Sequence, residues 1–163
     1  MYLATMDTPT GPLHVVADGT YTVRAAGFGD VDALLARLGE QVEQRADLGP
    51  VSDAVRAYLG GAVTALDTLA VAQQGGPFLQ QCWKLLREVP AGDTISYAEL
   101  AARAGSPTAV RAAGQACARN LIAPMVPCHR VLASTGKLNG YAYGLHVKQW
   151  LLDHEGAVTA PVR

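Results

Sequence analysis

Ser96-Tyr97-Ala98-Glu99-Leu100-Ala101-Ala102-Arg103-Ala104-Gly105-Ser106-Pro107 is the stretch that decides how the second half of this chain folds. Ser96 with Glu99 three residues on is a capping box, so a helix starts there and runs to about residue 104. Gly105 takes the left-handed position that closes a helix. Ser106 is placed to cap the next helix, and Pro107 falls in its first turn, where a missing N–H costs nothing. The reading is helix, tight turn, helix.

Two capped helices joined by a turn serve plain core packing more often than nucleic-acid binding, so the second helix has to discriminate. Val110, Ala113, Gly114 and Cys117 form one stripe, expected to face inward. Arg111, Gln115 and Arg119 recur every four residues on another face, beside Ala112 and Ala116. A helix that reads base edges in the major groove projects several long polar side chains. This one is mostly alanine, which permits close backbone approach to DNA with little sequence readout.

Downstream lies Pro127-Cys128-His129-Arg130-Val131, a thiol and an imidazole side by side after a conformationally fixed residue. The nucleophile in cysteine chemistry is the thiolate, which needs a base or a positive neighbour near neutral pH, and His129 and Arg130 are such neighbours. The bland alternative is a buried structural cysteine beside a histidine that fills a turn.

Charge is uneven along the chain. Before Phe78, 4 Arg face 9 Asp and Glu, a balance of -5; from Phe78 onward 9 Lys and Arg face 5 acids, a balance of +4. The second half is therefore the part suited to phosphates, although the whole chain carries only -1. The 3 cysteines, Cys82, Cys117 and Cys128, have no metal-ligand spacing and suit a reducing compartment. No apolar stretch approaches the ~20 residues that span a bilayer, so a cytoplasmic, non-membrane protein is expected.

The first part reads as short strands over residues 2–6, 13–17 and 22–28, an antiparallel hairpin, followed by helices over 32–38 and 52–59. Gln73-Gln74-Gly75-Gly76-Pro77 reads as a linker. The expected domains are 1–76, an α/β unit with a small antiparallel sheet plus helices, and 77–163, mostly helical, carrying a helix over 78–89, the helix-turn-helix and the cysteine.

The PCHRV run, preceded by Asn120 and followed by Gly140-Tyr141-Ala142-Tyr143-Gly144 and a Trp-Leu-Leu-x-His-Glu-Gly ending, closely resembles the active-site region of O6-alkylguanine-DNA alkyltransferases. The resemblance is strong from about residue 78 to 156 and loose before that. It implies irreversible transfer of an alkyl group from O6-alkylguanine in double-stranded DNA to Cys128, one lesion per molecule, with no cofactor and no metal. O4-alkylthymine stays open as a second substrate, and the protein is expected to be monomeric in solution. The Cys/His zinc site of some relatives has no ligand set here, because His14 is the lone histidine of the first half.

Residue by residue, the resemblance implies that His129 takes the thiol proton through a water and that Glu155 orients it. Tyr97 would donate to guanine N3 as charge develops, Lys148 would support the site, and Asn120 would tie the turn before it. The Cys128 and Val131 carbonyls would meet the exocyclic amine of guanine. Tyr141 would stack on the flipped base, the Ala142 amide would face O6, and Tyr143 would bound the space over the alkyl group. On the DNA side, Arg111 would fill the place of the extruded nucleotide, with Ala112, Gln115, Arg119, Thr94 and Ser96 as further contacts. Each has an ordinary reading beside it: Tyr97 as helix packing, Lys148 and Glu155 as solvated surface, Arg111 as a phosphate contact. The family commonly carries proline after the hinge asparagine; here Leu121 follows and Pro124 lies three residues on.

Two other classes compete. A non-catalytic alkyltransferase-like lesion sensor shares the scaffold and lacks the cysteine, which Cys128 opposes. A Cys-His-Asn hydrolase normally has its histidine far from the cysteine in sequence, which the adjacent pair opposes.

Overall fold

The computed structural model describes residues 1–159. The chain forms two compact units, Met1–Gln73 with Leu121–Met125, and Gln74–Asn120 with the chain from Val126 onward.

In the first unit, strands β1 (Tyr2–Thr8), β2 (Gly11–Ala17) and β3 (Val23–Phe28) form an antiparallel meander. The three strands match the antiparallel expectation. A two-residue strand, β4 (Glu43–Gln44), adds itself in parallel beside β1, giving the order β3-β2-β1-β4 and a mixed sheet. Two exposed polar residues carry no alternation, so nothing in the sequence marks them as a strand.

Helix α1 (Val31–Leu38) begins at Asp30, whose carboxylate accepts from the amides of Asp32 and Ala33. Its Leu34 packs on Leu3, Val16 and Ala25 of the sheet. Helix α2 (Pro50–Leu59) has proline in its first turn and buries Val51, Val55 and Tyr58 at helical spacing.

The segment Leu121–Met125 completes this unit from far along the chain. Ala26 N donates to Leu121 O (2.8 Å) and Ala123 N to Ala26 O (3.0 Å). Leu121 N donates to the Gln73 side chain at 2.8 Å. A proline at 121 has no N–H to give, so this departure from the family pattern has a local use.

In the second unit, α3 (Pro77–Glu88) precedes β5 (Ile95–Ser96), α4 (Tyr97–Arg103) and α5 (Val110–Arg119). A 3-10 turn over Cys128–Arg130 leads into β6 (Val131–Leu132), which pairs in parallel with β5, and α6 (Leu145–His154) follows. Cys82, Trp83 and Leu86 of α3, Leu100 and Ala101 of α4, and Leu151 and Leu152 of α6 supply the core. The Trp83 indole donates to the carbonyl of Ala116 at 2.9 Å, tying α3 to α5.

The helix-turn-helix forms, with three corrections to the sequence reading. Ser96 Oγ accepts from Glu99 N (3.0 Å), and Gly105 takes φ +84° as expected, but Glu99 spends its carboxylate on Arg103 (2.9 Å). Ser106 does not cap the second helix: it accepts from Ala109 N (2.8 Å) in an intervening turn, and α5 starts only at Val110, with no side-chain cap. The inner stripe also differs, for Ala113 and Ala116 are the fully buried pair while Val110 is exposed. Packing of those two alanines sets the phase of α5, and it overrides the local capping signal.

Candidate functional site

Cys128, His129 and Arg130 occupy one 3-10 turn, and all three are buried. Cys128 N donates to Val126 O (2.9 Å), and the Cys128 carbonyl accepts from Val131 N, so the turn is braced at both ends. Asn120, at the C-cap of α5, donates its side-chain amide to the same Val126 carbonyl at 2.7 Å.

His129 Nε2 lies 2.9 Å from Glu155 Oε2, and both side chains are wholly enclosed. Arg130, read from the sequence as a positive neighbour for the thiol, directs its guanidinium at Glu155 instead. Nε donates to Oε1 (2.8 Å), Nη2 to Oε2 (3.1 Å), and Nη1 to the Val89 carbonyl at the end of α3 (2.6 Å).

Burial pushes the Glu155 carboxyl up, yet the hydrogen bonds from His129 and Arg130 and the positive charge beside it outweigh burial and hold it at about 2. The Arg130 guanidinium, with two bonds to the carboxylate, favours the ionised form of Glu155 together with the His129 hydrogen bond. Burial pushes the imidazole down, against the pull of Glu155 and with the push of Arg130 and Lys148. His129 is therefore neutral. A carboxylate only accepts, so Nε2 carries the hydrogen and the lone pair resides on Nδ1. That Nδ1 atom is buried and makes no hydrogen bond to protein.

Lys148 is completely buried on α6. Its ammonium donates to the carbonyls of Val131 (2.8 Å), Asn139 (2.8 Å) and Gly140 (3.2 Å). The solvated reading of this lysine is overturned; it clamps the loop before α6. Tyr97 OH donates to the same Asn139 oxygen at 3.1 Å. Burial, with the Cys117 and Cys128 thiols, pushes its phenol up to about 12, so it stays protonated at neutral pH. Tyr141 and Tyr143 meet edge to face, ring centres 5.5 Å apart at 73°. Ala142 between them is exposed and Val131 is buried.

Along α5, Arg111, Gln115 and Arg119 are exposed, with Ala112 half-buried beside them. Thr94 and Ser96 are half-buried, and the Ser96 hydroxyl is engaged as a helix cap. Among the described residues no group of His, Cys, Asp and Glu is arranged to hold a metal ion, and no helix is long and apolar enough to cross a membrane.

Four residues have roles that were not read from the sequence. Arg130 and Val89 complete the Glu155 cluster, Asn139 offers the carbonyl shared by Tyr97 and Lys148, and Gly92 passes under Glu155. A Cβ on Gly92, which has φ +94°, would come within 3.1 Å of the Glu155 carbonyl. A glycine in the turn after Pro90 hints at such an approach but does not say to what.

Fold and site define an α/β protein with a buried Cys-His-Glu-Arg cluster next to a helix-turn-helix. Residues 77–157 match the family described as 6-O-methylguanine DNA methyltransferase, DNA binding domain. The methylated-DNA–protein-cysteine methyltransferase of Shigella flexneri is 38% identical over 157 residues, covering 91% of this chain and 92% of its own. That of Methanosarcina acetivorans is 36% identical, covering 96% and 99%. Among solved structures, Mycobacterium tuberculosis OGT in complex with DNA superposes with a TM-score of 0.83 at 32% identity, covering 96% of this chain and 93% of that one. The chain belongs to the methylated-DNA–protein-cysteine methyltransferase family.

Proposed function

We propose that this protein repairs O6-alkylguanine in double-stranded DNA by moving the alkyl group irreversibly to Sγ of Cys128. The observation that carries the reading is the state of His129: buried next to Cys128, with Nε2–H held by an ionised Glu155 and a basic Nδ1 that no protein group occupies. Nδ1 takes the Cys128 proton through a water. The thiolate attacks the alkyl carbon in line, the S–C bond forms, and the C–O6 bond breaks with its electron pair leaving on guanine. Tyr97, a protonated phenol at this pH, turns its single O–H from the Asn139 carbonyl toward guanine N3 as that charge develops. Lys148 keeps the loop in place through its three carbonyls.

A paired guanine cannot reach a buried thiol, so the nucleotide is flipped out. Arg111 enters the vacated space, and Ala112, Gln115, Arg119, Thr94 and Ser96 meet the surrounding DNA. Tyr141 stacks on the extruded base, the Ala142 amide meets O6, and the carbonyls of Cys128 and Val131 meet the exocyclic amine. Val131 O already accepts from Lys148, and a carbonyl has a second lone pair to offer. The protein needs no cofactor and works in the cytoplasm, on DNA. The relatives' name, methylated-DNA–protein-cysteine methyltransferase, and the M. tuberculosis structure solved with DNA support this reading.

The test is incubation with duplex DNA containing O6-methylguanine, followed by intact mass and peptide mapping. One added methyl per protein on Cys128 is expected. Methyl found mainly on Cys82 or Cys117, or none at all, sinks the assignment.

A further inference from the structure

Glu155 is shared between two different cation-forming groups. Oε2 accepts from His129 Nε2 (2.9 Å) and Arg130 Nη2 (3.1 Å), and Oε1 accepts from Arg130 Nε (2.8 Å). The side chains of His129 and Glu155 are 0% exposed and that of Arg130 is 5% exposed, so water does not screen them. An uncompensated carboxylate at this distance would draw a proton onto a buried imidazole, since an opposite charge within ~4–6 Å favours the charged form by ~1–3 pKa units. An imidazolium cannot accept a thiol proton. The guanidinium offsets that pull, because its positive charge balances the carboxylate and its two parallel bonds fix the carboxylate plane.

We propose that Arg130 is a positioning residue: by neutralising and orienting Glu155 it keeps His129 neutral at rest, with Nε2–H on the carboxylate and the lone pair on Nδ1. This rests on the reading of His129 as the base for Cys128 and adds the group that makes it one. The elements most closely packed against the turn are α3 and α6, and α4 and α5 bring the neutral Tyr97 phenol and Cys117 thiol toward Cys128. From α6 and its C-cap come Lys148 and Glu155, and from the turn itself Cys128 and Arg130. The buried titratable group of α3 is Cys82, a thiol that burial keeps neutral. Lys148 adds positive charge, so it opposes an imidazolium in the same sense as Arg130.

The alternative is that Arg130 only staples the turn to α3 through Val89. Two readouts on the full-length protein separate the two. One is the nitrogen-15 NMR titration of the His129 imidazole without DNA, and the other is the pH dependence of the second-order transfer rate. In the wild type His129 should be the neutral Nε2–H tautomer at neutral pH. Arg130→Gln should raise its protonation midpoint by about one unit or more, carry the acidic limb of the rate profile up with it, and cost about tenfold in rate below the new midpoint. Arg130→Lys keeps the charge and loses the fork, so its midpoint should stay near that of the wild type while the rate falls at all pH values.

A wild-type imidazolium at neutral pH overturns the inference, as does an Arg130→Gln rate lowered equally at every pH with the midpoint unmoved. If Arg130→Gln does not fold, Arg130→Lys decides: a midpoint about one unit above wild type overturns the proposal. The titration needs no substrate, so a protein that shows these midpoints yet accepts no alkyl group would sink the proposed reaction and leave the role of Arg130 standing.

Discussion

Tyr97 of α4 and Lys148 of α6 donate to one oxygen, the carbonyl of Asn139, at 3.1 and 2.8 Å. Lys148 reaches that loop from complete burial and binds two further carbonyls there. Lys148→Met keeps the stem but strands those acceptors. Bonds to a charged donor are worth ~1.5–3 kcal/mol each, part of which water in the loosened loop restores. We expect a loss of roughly 2–4 kcal/mol, read as a lower urea midpoint, and Lys148→Arg should recover only part of it.

Glu155 makes stability depend on acid. Its folded pKa, about 2, lies below the ordinary 4.5, so the unfolded chain takes the proton first. The stabilisation is complete above the unfolded value, is lost as pH falls through the folded one, and amounts to on the order of 3 kcal/mol. Unfolding free energy of the wild type should drop across that window. Glu155→Gln, less stable at neutral pH, should show a flatter profile there; an equally steep one would assign the acid sensitivity elsewhere.

Cys128→Ser removes the nucleophile and no packing volume of consequence. Alkyl acceptance should vanish, while duplex binding stays within about twofold and keeps its steep dependence on salt, because phosphate neutralisation drives it. Titration of labelled duplex at several salt concentrations measures both. A binding loss comparable to the activity loss would place Cys128 in DNA recognition.

Arg111 is exposed near the start of α5. If it occupies the place of the extruded nucleotide, Arg111→Ala should slow repair of duplex DNA by tenfold or more, on the order of 1–2 kcal/mol, and leave reaction with free O6-alkylguanine base almost unchanged. Equal losses on both substrates would make it part of the chemistry.

Tyr143 packs edge to face on Tyr141 in the loop before α6. A tyrosine bounding the alkyl space should admit methyl and oppose benzyl, since overfilling a close-packed site costs ~1–3 kcal/mol. The ratio of benzyl to methyl transfer rates should rise roughly tenfold or more in Tyr143→Gly. An unmoved ratio would mean that Tyr143 points away from the substrate.

The chain by itself determined whatever depends on neighbours in sequence. The Ser96 cap, the Gly105 turn and the helical stripe of α1 are local, and so each reads directly from residue type and spacing. The Cys128-His129 pair announced its chemistry in the same way. What needed the tertiary structure were choices between partners far apart in the chain. Arg130 turns to Glu155, 25 residues on, and Val89, 41 residues back. Lys148 is buried under three carbonyls, and α5 starts late because Ala113 and Ala116 must face inward. A side chain with several donors has no preferred partner until folding excludes water and places one carboxylate or carbonyl within reach. Burial then turns an ordinary Glu, His and Arg into a cluster with a defined proton arrangement.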